Sequence, residues 1–153
     1  MGSPTEEAPL QLDAQAVHEL FSQWDKSVHS LEEMRRWFTD DVVFEDPLQR
    51  IEGLEEYWEM NERLLKKNHD LQIQMEESAQ NGPHIMFTFS LSMAPSKKRP
   101  NVRIYNTGMT YVRLNAEGKI EYHRDYWDFN TMFLSAFPEG VRKAYKTMVK
   151  KLG

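Results

Sequence analysis

The chain has 153 residues, of which 40% are hydrophobic and 28% charged, and it contains no cysteine. This length suits one domain that buries a core without disulfides, and the missing thiols exclude disulfide, thiolate and zinc–thiolate chemistry. The net charge of −5 argues against nucleic acid as a partner, since proteins that bind nucleic acid usually present a basic surface.

Residues 1–11 are polar and lack the basic and then apolar pattern of a signal peptide. We predict that they form a disordered tail and that residues 12–153 form a single domain. No apolar run in the sequence approaches the roughly 20 residues that span a bilayer. We therefore expect a cytoplasmic protein that has no membrane partner.

Three amphipathic helices and one short strand are predicted in the first half of the chain. Asp13 can cap the first helix, and Ser30 forms a capping box with Glu33 at the start of the second. Pro47 ends the strand because proline cannot donate to a sheet ladder. The predicted bounds are residues 12–28, 30–38 and 54–68 for the helices and 41–47 for the strand.

From residue 71 onward the apolar residues alternate, which is the period of strands. Turn signals follow at residues 81–83 and 115–118. Four strands are predicted. The first begins at residue 71, and the others cover residues 85–93, 102–114 and 119–128. An apolar stretch at residues 129–137 either closes over a pocket or packs on the sheet edge, and a final helix at residues 139–152 is expected to be solvated.

Helices followed by strands predict an α+β fold. In this fold three N-terminal helices wrap a curved, cone-like antiparallel sheet, and a C-terminal helix follows. A sheet curled in this way leaves a conical cavity between its inner face and the helices.

Three segments carry a resemblance to a known family: residues 38–47 followed by Gly53 and Tyr57, residues 118–120, and residues 123–128. The order and spacing of these segments resemble those of the nuclear transport factor 2-like superfamily, which includes the SnoaL-like polyketide cyclases and the steroid delta-isomerases. The resemblance implies the cone fold. It does not fix the activity, because this fold carries enzymes, binding modules and scaffolds.

Asp46 matches the aspartate that serves as the proton-shuttling base in the steroid isomerases. A carboxylate at the mouth of a dry pocket is suited to that work. Where those enzymes have a tyrosine and an aspartic acid as oxyanion donors, this chain has Phe21 or Ser22 and Thr110, so the resemblance there covers only the base. Alternatively, Asp46 caps a turn before Pro47.

A second candidate cluster is His123, Asp125 and Trp127, which share one face of the last strand because side chains two apart point the same way. The resemblance places this face inside the cone, and some SnoaL-like cyclases keep a catalytic aspartate in this strand. A carboxylate beside an imidazole can exchange a proton near neutral pH. Alternatively, the two form a buried pair that only orders the core.

We therefore predict Asp46, Asp125 and His123 as catalytic residues around one apolar pocket. The predicted ligand-binding residues are Phe44, Trp127, Asn106, Thr110, Tyr57 and Trp24. Further wall positions are expected at Val42, Ile104, Phe21, Trp37 and Trp58. Alternatively, most of the helix residues in this set belong only to the core. The expected ligand is a small apolar organic molecule with one or two oxygens, and the expected activity is that of an isomerase, cyclase or lyase that uses no cofactor. The alternatives are a ligand-binding module without catalysis and a dimeric scaffold for protein partners.

The opposite faces of the last two strands carry tyrosine, methionine and arginine, which are residues enriched at interfaces. We expect a homodimer through this open sheet face, as the resemblance also implies, or else an exposed face of long amphipathic side chains. The five histidines are scattered without ligand spacing, and neither a phosphate loop nor a dinucleotide motif is present. We therefore expect no metal and no cofactor.

Overall fold

Twelve segments of regular structure lie between residues 12 and 152, the part of the chain that this computed structural model describes. The helices are α1 (Ala14–Ser22), α2 (Trp24–Ser27), α3 (Leu31–Trp37), α4 (Leu54–Lys67), α5 (Phe129–Ser135) and α6 (Glu139–Leu152). The strands are β1 (Phe38–Glu45), β2 (Arg50–Glu52), β3 (His69–Asn81), β4 (His84–Ala94), β5 (Ile104–Leu114) and β6 (Ile120–Trp127). The predicted tail at residues 1–11 lies outside the described residues.

Side-chain caps begin two of the N-terminal helices, as predicted. The Asp13 carboxylate accepts a hydrogen bond from the Ala16 amide at 2.8 Å, and the Ser30 hydroxyl accepts one from the Glu33 amide at 3.1 Å. Each cap provides a partner for an amide that has none within the first turn of its helix.

The single helix predicted over residues 12–28 is wrong, because the chain leaves the helical conformation at Gln23. The break separates α1 from α2 and allows both Phe21 and Trp24 to be buried. Their rings stack at a centroid distance of 4.8 Å. Tertiary packing of two large aromatic rings thus outweighs the continuity of one helix.

The six strands form one sheet in the order β2-β1-β6-β5-β4-β3. All neighbouring pairs are antiparallel except β1 and β6, which run parallel. This pair departs from the predicted antiparallel sheet because about half of the chain lies between β1 and β6, so that no hairpin fixes their relative direction. The predicted α+β cone fold is otherwise confirmed.

The sheet is irregular at points where register shifts interrupt the ladders, including one between Met75 and Ser78 of β3 and one between Arg113 and Leu114 of β5. Such bulges bend a strand and increase its twist, which favours a curled sheet. The concave face holds the core together with α1, α2, α3 and α4. The core contains Val17, Leu20, Phe21, Trp24, Met34, Phe38, Val42, Leu54, Tyr57, Ile85, Phe87, Val112 and Ile120.

The apolar stretch after β6 forms α5, which lies against β5, where the Tyr105 amide donates to the Ser135 hydroxyl at 3.2 Å. Helix α6 matches its predicted bounds and has no buried residue. None of the helices in the described range is both long and apolar enough to cross a membrane.

Candidate functional site

An aromatic cluster surrounds His123, which is 2% exposed. The imidazole centroid lies 5.0 Å from the rings of both Phe21 and Phe44, and Phe44 stacks on Tyr57 at 4.8 Å. His123 lies opposite Val112 on β5 and Phe44 on β1. Because β6 is paired on both sides, it holds the imidazole in a fixed place.

A chain of polar contacts begins in this aromatic cluster and ends at β5. The Tyr57 hydroxyl is 2.6 Å from His123 Nδ1, and His123 Nε2 is 2.9 Å from Asp125 Oδ1. The Thr110 hydroxyl donates to the same Asp125 oxygen at 2.6 Å. The pairing of Thr110 with Asp125 in the β5–β6 register explains this contact.

Burial raises the pKa of Tyr57 well above its ordinary value, and the charges of Asp125 and Asp46 raise it further. The phenol therefore remains neutral over the physiological pH range and can donate its proton to His123 Nδ1. A carboxylate at Asp125 can only accept, so His123 carries its hydrogen on Nε2 when both contacts are made. These contacts fix one tautomer of the imidazole.

The Asp125 carboxylate has an asymmetric environment. Its Oδ1 accepts from both Thr110 and His123, whereas no described residue donates to its Oδ2. The side chain is 22% exposed and lines the cavity. Asp125 Oδ2 is therefore free to contact a ligand in the cavity, while Oδ1 holds the carboxylate in place.

Asp46 lies beside Asp125, one residue beyond the last pair of the β1–β6 ladder. Its Oδ1 accepts from the amides of Leu48 at 2.7 Å and Gln49 at 3.0 Å, and its Oδ2 accepts from the Gln49 side chain at 3.2 Å. This is the turn-capping arrangement that the sequence left as an alternative. Asp46 also reaches the cavity wall.

The cavity between the sheet and the helices has a volume of about 270 Å³. Its wall is mainly aromatic, leucine, isoleucine and methionine side chains, with polar groups contributed chiefly by the sheet. All nine residues predicted as catalytic or ligand-binding line this one cavity: Asp46, Asp125, His123, Phe44, Trp127, Asn106, Thr110, Tyr57 and Trp24. The structure thus brings them together, while their roles stay predictions.

Within residues 12–152, no group of three or more histidine, aspartate or glutamate side chains is placed to hold a metal ion. The polar atoms of the cavity are a carboxylate pair, one imidazole, hydroxyls and amides. These groups are suited to the transfer of protons and the orientation of an organic molecule.

The sequence profile of the SnoaL-like domain matches residues 17–123. The chain belongs to the SnoaL-like family. This places it in the nuclear transport factor 2-like superfamily, as its motifs predicted. No functionally curated protein matches the sequence.

Solved structures share the fold of this SnoaL-like protein at low sequence identity. An LEH-like epoxide hydrolase of M. tuberculosis is 16% identical with a TM-score of 0.62, over 89% of this chain and 92% of that one. A candidate SnoaL-like polyketide cyclase from Jannaschia sp. CCS1 is 15% identical with a TM-score of 0.67, over 88% and 97%. A hypothetical protein of Catenulispora acidiphila with a ketosteroid isomerase-like fold, solved with trimethylamine, is 13% identical with a TM-score of 0.64, over 77% and 92%. These likenesses establish the fold.

Several expectations for the wall of this SnoaL-like protein are wrong. Val42 is completely buried in the core, and Ile104 lies outside the cavity. Trp37 and Trp58 also lie outside the cavity and pack against the core, which is the alternative that the sequence left open for the helix residues. Ser22, one of the two positions matched to the oxyanion tyrosine, is exposed and donates to the His18 backbone oxygen. The spacing of apolar residues identified the buried face of each helix, but it did not identify which residues of that face line the cavity.

Sequence reasoning also missed several wall residues. Asn61 of α4 is buried and accepts a hydrogen bond from Trp24 Nε1 at 3.0 Å. Four methionines line the cavity: Met60, Met75, Met93 and Met132. A polar residue on the apolar face of α4 was a usable signal for Asn61. The methionines gave none, because methionine fills both cores and pockets.

The raised pKa of Tyr57 predicts a loss of stability at alkaline pH. A tyrosine whose pKa is higher in the folded state stabilises the fold below its unfolded value of about 10, and that stabilisation is lost as the pH rises toward the folded value. We expect the free energy of unfolding to fall above about pH 10 with a contribution approaching 1.4 kcal/mol per pH unit from this one group.

The measurement is urea unfolding of wild type and Tyr57→Phe across that range, with the exposed Tyr105→Phe as a matched control. Tyr57→Phe should lose about 1–3 kcal/mol below pH 10, because His123 loses its donor, but should show a shallower alkaline slope. An unchanged slope in Tyr57→Phe would contradict the assignment.

Proposed function

We propose that this protein is a cofactor-free isomerase or cyclase that moves a proton at a carbon next to a carbonyl group. The observation that carries the proposal is Asp125, a carboxylate with one oxygen anchored by Thr110 and His123 and the other free at the wall of an apolar cavity. A positioned base of this kind contributes about 10²- to 10⁴-fold to a proton transfer.

In the proposed reaction, Asp125 Oδ2 takes the proton of the activated carbon. The electron pair of the broken C–H bond moves toward the carbonyl oxygen and gives an enolate. In a substrate with a double bond next to the activated carbon, the carboxylic acid then returns the proton at the far end of the conjugated system, which moves the double bond. Alternatively, the enolate carbon attacks a second carbonyl and closes a ring, and the alkoxide formed takes the proton back from the carboxylic acid. Both outcomes balance without an oxidant or a reductant.

The hydroxyl groups in the cavity limit which carbonyl compounds fit this reaction. Tyr57 and Thr110 are neutral donors, and both already contact His123 or Asp125. The enolate charge must therefore be carried largely by the substrate itself. This favours ketones whose enolate is conjugated, such as aryl ketones or 1,3-dicarbonyl compounds, and the apolar wall favours a hydrophobic frame around that group.

His123 and Tyr57 are positioning residues in this proposal. His123 is 2% exposed and hydrogen bonds to Asp125, so it holds the carboxylate in one orientation. Tyr57 does the same for the imidazole through the 2.6 Å contact with Nδ1. Residues that hydrogen bond to a reacting group in this way keep it in its productive geometry.

Deuterium exchange into aryl ketones in D₂O, followed by proton NMR, tests the proposal. We expect wild-type protein to accelerate loss of the α-proton signal of 1-tetralone and related ketones above the buffer rate, and heat-denatured protein to have no such effect. Binding without exchange for every ketone would instead favour the non-catalytic ligand-binding module.

We also propose that two copies associate through the convex face of the sheet. Exposed tyrosines and methionines lie on this face, among them Tyr105, Met109 and Tyr126, and the Arg124 guanidinium lies 4.8 Å from the Tyr126 ring centroid. These residue types are typical of interface centres. Native mass spectrometry should give twice the 18.1 kDa chain mass and would also reveal a retained small molecule, whereas a monomer at every concentration would refute the dimer.

A further inference from the structure

Asn106 is a buried polar residue that the proposed proton transfer does not use. Its side chain lines the cavity and is 5% exposed. Among residues 12–152, none provides a hydrogen-bond partner for its amide oxygen. A buried amide atom without a partner costs stability, so a protein that keeps one in a cavity wall has a use for it.

The position of Asn106 separates it from the proton-transfer groups. It lies four residues before Thr110 on the inward face of β5, and Thr110 pairs with Asp125. Four residues of strand span about 13 Å. Between the two polar positions the wall is apolar, because Gly108 has no side chain and pairs with Trp127 on one side and Phe89 on the other.

We propose that Asn106 is a second anchor that selects a ligand with a hydroxyl group at the end opposite its reacting carbonyl. A carboxamide offers both an acceptor and a donor, and a hydroxyl group can satisfy both. A ketone or ether oxygen could use only the amide hydrogens. A hydroxyl is therefore the ligand group whose donor and acceptor match those of the Asn106 carboxamide at this end of the cavity.

The spacing and the cavity volume set the size of the ligand. The span of about 13 Å is shortened by the reach of the two side chains and by hydrogen bonds of about 3 Å at each end. This leaves room for an apolar frame of one or two fused rings. The volume of about 270 Å³ lies just below the range of roughly 300–1,000 Å³ for drug-sized ligands. The position of the ligand's carbonyl group beside Asp125 rests on the proposed function. The position of its hydroxyl group rests on Asn106 alone.

Matched probes test the hydroxyl end by binding rather than by turnover. The probes are 1-tetralone and 6-hydroxy-1-tetralone, and the readout is their dissociation constants with wild type and with Asn106→Leu, measured by calorimetry. We expect wild type to bind the hydroxylated ketone at least about tenfold more tightly, since a site built for a hydroxyl discriminates strongly against its absence. Asn106→Leu, which is similar in size and apolar, should lose this preference.

A thermal measurement on the ligand-free proteins separates an anchor from a structural residue. Removing an unpartnered buried amide relieves a cost, so Asn106→Leu should raise the melting temperature by about 2–4 °C. Equal affinities of wild type for the two ketones, a preference that survives in Asn106→Leu, a lower melting temperature in that variant, or no binding of either ketone to wild type would each overturn the anchor.

The same probes distinguish failure of the anchor from failure of the proposed function. If the hydroxyl preference depends on Asn106 but wild type catalyses no exchange in either ketone, the anchor stands and the proposed reaction falls. If exchange occurs at equal rates and affinities for both ketones, the reaction stands and the anchor falls.

Discussion

Replacing Asp125 with asparagine is expected to lower the rate of α-proton exchange at least 100-fold. The amide oxygen of asparagine can still accept from Thr110 and His123, so the geometry of the cavity is retained. The amide has no basic oxygen to take a proton from carbon, and the loss of a general base costs about 10²- to 10⁴-fold. Exchange of 1-tetralone in D₂O measures the rate, and circular dichroism establishes that the variant folds.

Asp46→Asn is the matched control, because it makes the same change in the neighbouring carboxylate of the same cavity. Asp46 already accepts hydrogen bonds from Leu48 and Gln49 in a turn, and asparagine caps such turns as well as aspartate does. We therefore expect exchange close to the wild-type rate. The reverse pattern, with exchange abolished in Asp46→Asn and intact in Asp125→Asn, would assign the base to Asp46 instead.

The parts of the site that lie on strands could be predicted from the sequence. Alternation at a period of two puts His123, Asp125 and Trp127 on one face regardless of what surrounds them. The same rule groups Asn106 with Thr110. Alternation does not say which face is concave, and the resemblance supplied that choice.

Positions set by tertiary packing could not be predicted in the same way. The residues around Gln23 are compatible with a continuous helix, and the break is explained by the burial of Phe21 and Trp24 and by the bond from Trp24 to Asn61. Trp37 and Trp58 occupy apolar helix positions as expected, but the rotation of each helix against the sheet decides whether such a residue reaches the cavity. Sequence periodicity contains no information about that rotation.

The choice between the two aspartates also depends on contacts that a single sequence cannot give. The motif makes Asp46 one of two candidate bases, yet the residues that follow Asp46 provide donors for both of its oxygens. Asp125 obtains its donors from two different strands. A turn can be predicted from neighbouring residues in the sequence. Whether a carboxylate oxygen inside a cavity has a partner depends on how strands distant in sequence pack beside one another.

Gly108→Ala should destabilise the protein strongly, although alanine is the smallest possible addition. A Cβ atom at Gly108 would lie 2.4 Å from the backbone oxygen of Tyr126, 2.9 Å from Cζ of Phe89 and 3.1 Å from Cβ of Trp127. The first of these atoms belongs to the paired strand and cannot move without loss of ladder hydrogen bonds. We expect a cost of about 3 kcal/mol, at the upper end of the range for overpacking, which lowers the melting temperature by roughly 6–12 °C.

Gly140→Ala is the control for this prediction, since a Cβ atom there would meet no atom within 4 Å and the residue lies in α6. Alanine is favoured over glycine in a helix by up to about 1 kcal/mol, so this variant should be as stable as wild type or slightly more stable. Thermal unfolding followed by circular dichroism compares the two. A melting temperature for Gly108→Ala close to that of Gly140→Ala would mean that β5 and β6 can separate at this point without cost. In that case the apolar wall between Asn106 and Asp125 would not be rigid, and the spacing of these two residues would not limit the size of the ligand.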